Sequence, residues 1–140
     1  MRKLLYGLAS FAIAATMVGS ARAADNAPQV FKINPTGNGA QQSGTITFET
    51  QGTGTKITVS LKGEPQDAIQ PAHIHVGPCK HPGGVKIPLT SVVGGKSVTI
   101  VKVPIDQAAV AGTSVNVHKS KDEISVYVAC GDIQFAMTGK

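Results

Sequence analysis

The chain has 140 residues, enough for one domain, with 13 lysines and arginines against 8 aspartates and glutamates. Arg2, Lys3 and Arg22 all fall in the first 23 residues, which leaves ten cations against eight anions, a net +2, in the rest. That balance is too small for a nucleic-acid footprint, so the whole-chain charge overstates how basic the working protein is.

Arg2 and Lys3 open the chain, Leu4 to Val18 is almost wholly apolar, and Ala21-Arg22-Ala23 has the small-x-small pattern of a signal-peptidase site. The segment reads as a secretory signal peptide over residues 1–23, cleaved after Ala23. Its apolar run is about 15 residues, short of a membrane span. A periplasmic or secreted location follows, with no membrane attachment after cleavage and one domain over residues 24–140.

The remainder reads as all-β. "QVFKIN" (29–34) is the first strand. "SGTITFET" (43–50) puts Ile46 and Phe48 on one side and Thr45, Thr47 and Glu49 on the other, and "TKITVSLKG" (55–63) repeats the alternation with Ile57, Val59 and Leu61. That period of two marks half-buried strands, and "QGTG" (51–54) between them is a hairpin turn. Further strands are expected at "AHIHVG" (72–77), "KSVTIVKV" (96–103), "SVNVHK" (114–119), "ISVYVA" (124–129) and "DIQFAM" (132–137), with a turn or two of helix in "IDQAAVAG" (105–112). About seven to eight short antiparallel strands, punctuated by glycine and proline, imply a Greek-key β-barrel or sandwich.

In an oxidising compartment the only two cysteines, Cys79 and Cys130, are expected to pair. The loop so closed spans 51 residues, and the chain-entropy argument assigns such a loop about 4 kcal/mol. The alternative is a reactive or metal-binding thiol.

All four histidines lie in two short stretches, "AHIHVGPCKHPGG" (72–84) and "NVHKS" (116–120). Alternation sends Ile74 and Val76 to the core face and His73 and His75 to the other. The same logic turns Val115 and Val117 inward and Asn116 and His118 outward. If the two strands are neighbours, His118 completes a three-imidazole set, and His81 in the following turn is a candidate fourth ligand. Imidazole suits copper and zinc, whereas calcium and magnesium want oxygen. No nucleophile elbow or phosphate-cradling glycine loop is present. Asp122 or Glu123 either orients an imidazole through its second nitrogen or sits in an exposed turn. Asp132 is expected to cap the turn after Gly131. Tyr127 either lines the metal pocket or faces solvent.

"SGTITFETQGTGTKITVSLKG", "PAHIHVGPC", "VNVHKSKDEI" and "YVACGDI", in that order, resemble the hairpin, His-x-His strand, later copper-histidine strand and closing cysteine segment of the Cu/Zn superoxide dismutases. The resemblance implies an eight-stranded Greek-key barrel with copper held outside it by His73, His75 and His118, and a Cys79–Cys130 bridge. It also implies a superoxide substrate. Zinc is not expected: His81 is the only histidine in the loop that follows the first cysteine, and no aspartate lies between Asp67 and Asp106. The family's electrostatic loop is missing, and Tyr127 stands where the family has its anion-attracting arginine. Lys119 and Lys121 either supply that charge or belong to a solvated turn. "HIH" and "NVH" also resemble the chordin-type (CHRD) domain. Three functions are therefore open: a copper dismutase, a non-catalytic copper storage or delivery protein, and a CHRD-type structural module without metal.

Overall fold

The computed structural model describes residues 27–38 and 41–135. The leader expected at 1–23 lies outside the described residues. Eight antiparallel strands follow one another: β1 (Gln29–Pro35), β2 (Ser43–Gln51), β3 (Gly54–Lys62), β4 (Ile69–Val76), β5 (Val85–Val93), β6 (Lys96–Val101), β7 (Thr113–His118) and β8 (Tyr127–Ile133), with α1 (Ile105–Ala108) before β7. They close into a barrel in the order β1-β2-β3-β6-β5-β4-β7-β8. Strands β4, β5 and β6 form a meander, and β3 and β7 return to flank it on either side. That order is the Greek key twice over.

Alternation explains the core. Ile46 and Phe48 of β2, Ile57 and Val59 of β3, Ile74 of β4 and Val115 and Val117 of β7 are all fully buried and meet inside the barrel. Phe31 adds an edge-to-face contact with Phe48 at 5.9 Å. The β2–β3 hairpin turns through Gly52 at φ +60°, a left-handed conformation that glycine adopts without steric cost. Among the described residues no helix is long and apolar enough to cross a membrane.

Three local expectations need correction. Strand β5 is not anticipated by alternation: Val85 and Val93 at its ends are exposed, and Pro88 sits inside it. Proline is tolerated because the β5–β6 side is sparsely laddered. Its one backbone register pair is Val93↔Lys96, and the Thr90 N–H donates instead to the Thr99 hydroxyl at 2.8 Å. The two strands expected over 124–129 and 132–137 are a single strand, β8, preceded by a turn; residues 136–137 lie outside the described residues. Gly131 does not break the strand. It lets β1 approach, since a Cβ there would stand 2.2 Å from the Lys32 carbonyl oxygen. Val76, expected in the core, is 56% exposed. It ends β4, with its N–H donating to Gly84 and its carbonyl accepting from Gly83, past the layer of side chains that fills the barrel.

Candidate metal centre

Strand β7 is buried at all six positions. Its inward residues Val115 and Val117 face the core. Its outward residues Ser114, Asn116 and His118 are buried as well, and this sheltered outer wall holds the site. Strands β4 and β7 are direct neighbours, with Ala72 opposite Val117, His73 opposite Asn116 and His75 opposite Ser114. His118 extends the row, facing Tyr127 of β8.

The three imidazoles converge. His73, His75 and His118 each offer a nitrogen, and those atoms all lie within 4.8 Å of one another. The Nδ1 of His73 is 2.9 Å from the Nε2 of His118. Nitrogens bound to one copper or zinc ion at about 2.0–2.1 Å stand roughly 3–4 Å apart, so small ring rotations suffice to close the set on an ion.

The other nitrogens are spoken for. His75 Nδ1–H donates to the Gly83 carbonyl at 2.8 Å, and His118 Nδ1–H donates to the Ile124 carbonyl. Each bond fixes a tautomer with its lone pair on Nε2, which is how proteins orient metal-binding imidazoles; in His118 that lone pair accepts from the His73 Nδ1–H, a bond that a shared ion would replace. The Nε2 of His75 is buried with no hydrogen-bond partner. Such an atom costs about 1–3 kcal/mol when left unsatisfied, and a cation accepted by its lone pair removes that cost. The three histidines can therefore hold a metal ion.

No protein-family model and no curated protein matches the chain.

Electrostatics favour the ligand form. Burial holds the His73 imidazole below its ordinary value, and the neighbouring His75 adds to the shift. Burial also lowers His118, opposed by its bond to the Ile124 carbonyl and reinforced by His73 and His75. Both shifts favour the neutral ring, the state in which imidazole binds metals.

Two loops carry the carbonyls. The loop 77–84 turns at Gly77, φ +88°, where a Cβ would meet the His81 carbonyl oxygen at 2.6 Å. The disulfide Cys79–Cys130, with a Cα separation of 5.8 Å, ties it to β8. Asp132 does not cap its own turn; its Oδ1 accepts the Cys79 N–H at 2.6 Å. The loop 119–126 is closed by Lys119 N–H donating to Val126 at 2.8 Å. The second nitrogen of His118 is met by the Ile124 backbone and not by Asp122 or Glu123. Glu123 instead pairs with Lys119 at 2.8 Å.

Tyr127 faces the cluster, its ring centroid 4.8 Å from that of His118 and 6.2 Å from that of His75. His81 is exposed in its turn and is not brought to the other three. Lys121 is exposed. The contributors that side-chain patterns do not reveal are the carbonyls of Gly83 and Ile124, because any residue type can supply a carbonyl.

Proposed function

We propose that this is an exported copper-binding protein of the superoxide dismutase-like type, with His73, His75 and His118 as ligands and superoxide as substrate. The observation that carries the reading is the unpartnered, buried Nε2 of His75 beside two further imidazoles. An all-nitrogen donor set suits copper and argues against calcium or magnesium. The ordered hairpin, His-x-His strand, later histidine strand and closing cysteine strand support the family resemblance. The disulfide supports an oxidising compartment.

Copper held by His73, His75 and His118 would supply the one-electron redox chemistry that superoxide dismutation requires. The chain's own contribution is positional. Gly83 and Ile124 hold two rings in the ligating tautomer. Tyr127 walls the cluster on the β8 side.

A second reading, copper storage or delivery without turnover, is favoured by one feature. The Lys119 charge is neutralised by Glu123, and a tyrosine replaces the guiding cation, so little draws a small anion to the site.

Copper titration followed by electron paramagnetic resonance tests the centre: nitrogen hyperfine structure from three imidazoles is expected, reduced in His75→Ala. Superoxide disappearance with the copper-loaded protein then separates the readings. Turnover lost in His75→Ala supports the dismutase, and tight copper without turnover supports storage. No metal retained after dialysis, with all three histidine variants unchanged, overturns both and leaves the CHRD-type module.

A further inference from the structure

On the barrel wall opposite the histidines, β1, β2 and β3 form a second concave feature. Core residues Ile33 and Leu61 point inward, so their neighbours point out. Lys32 and Asn34 of β1, Ser43 and Thr45 of β2, and Ser60 and Lys62 of β3 ring an open cup of about 510 Å³. Its floor is the backbone of Ile33, Gly44 and Leu61. Gly44 lies opposite both Ile33 and Leu61, whose side chains turn to the core, so the floor presents main chain to the outer side. The register aligns Lys32 with Thr45 and Thr45 with Ser60, and Ser43 with Lys62. A further lysine, Lys96, pairs with Ser60 on the next strand.

The lining is chemically one-sided. Every ring position offers an N–H or O–H donor, and no carboxylate lines the cup. Lys32 and Lys62 stand on opposite walls across β2, two strand spacings apart and offset by two residues along the strands, about 12 Å between backbones. Two flexible ammonium groups approaching from opposite sides match a dianion whose oxygens radiate in several directions, as in a phosphate monoester, better than a planar single-charged carboxylate. The hydroxyls and the Asn34 amide suit a body that both donates and accepts hydrogen bonds. The geometry points to a binding site for a saccharide carrying a phosphate monoester, distinct from the histidine centre and independent of what that centre binds.

The test is a titration of the ¹⁵N-labelled protein with glucose 6-phosphate, with inorganic phosphate and glucose as separate arms. Saturable amide shifts confined to residues 32–34, 43–45 and 60–62 are expected. In the double variant Lys32→Gln/Lys62→Gln the affinity should fall at least about tenfold, since two charge-assisted bonds are lost, while amides elsewhere keep their positions and so report an intact fold. Lys102→Gln, outside the cup, should bind as the parent does. Non-saturating shifts at millimolar ligand, or equal weakening in Lys102→Gln, would overturn the site. Inorganic phosphate binding as tightly as the sugar ester would overturn its assignment to a saccharide.

Discussion

Asp132 on β8, two residues beyond Cys130, accepts the backbone N–H of Cys79 through its Oδ1 at 2.6 Å, on the same residue that the Cys79–Cys130 bridge holds. A carboxylate and a covalent link thus grip the same end of the loop 77–84. Four residues later that loop presents the Gly83 carbonyl to His75. Loop anchorage and imidazole orientation are therefore mechanically coupled, although neither Asp132 nor the disulfide is among the converging histidines.

Replacing Asp132 by alanine should act twice. The lost charge-assisted bond should cost about 1.5–3 kcal/mol of stability, read as a lower urea midpoint. Copper affinity should also fall by about 10–100-fold, as for other groups that orient a ligand indirectly. An unchanged copper affinity would mean that Gly83 keeps its position without this anchor.

Removing the bridge in Cys79→Ser/Cys130→Ser should destabilise the fold by up to about 4 kcal/mol through the 51-residue loop it closes. Chemical denaturation of the parent and the variant measures this directly. The variant is also expected to titrate copper more weakly than the parent.

Metal-free protein should lose stability in acid. His73 and His118 have their folded values lowered below 6.5 by burial. At pH above 6.5 both states hold neutral rings, and the histidine contribution is fully present. As pH falls below 6.5 the unfolded chain takes up protons first, and stability drops until the folded rings protonate as well. Urea midpoints measured across that range should decline with falling pH, and less steeply in His118→Gln.

Gly131→Ala should be disruptive for a reason unconnected with the histidines. The added methyl would stand 2.2 Å from the Lys32 carbonyl oxygen, so β1 and β8 must part where Asn34 pairs with Cys130. A loss of about 1–3 kcal/mol is expected, at the scale of overpacking a closed interior. Thermal unfolding checks it, and early exchange of the β1 amides would locate the damage.

Much of this protein is written locally. The alternation of Ile46 and Phe48 with threonines, and of Ile57, Val59 and Leu61 with polar residues, specifies strands and their inner faces, because a strand's side chains alternate whatever surrounds it. The same rule puts His73 and His75 on one side and Val115 and Val117 on the other before any partner strand is known.

What alternation cannot supply is decided by contacts distant in sequence. Strand β5 carries a proline and exposed valines, and it is a strand because β4 pairs with it. Gly131 reads as a breaker, but β1 approaches so closely that only glycine fits. Tyr127 faces the histidines because β8 lies beside β7. The Gly83 and Ile124 carbonyls have no side-chain signature at all. The residue pattern determines which side chains can meet; the closure of the barrel and the folding of two loops over its outer wall decide which ones do, because those contacts join residues that local periodicity never relates.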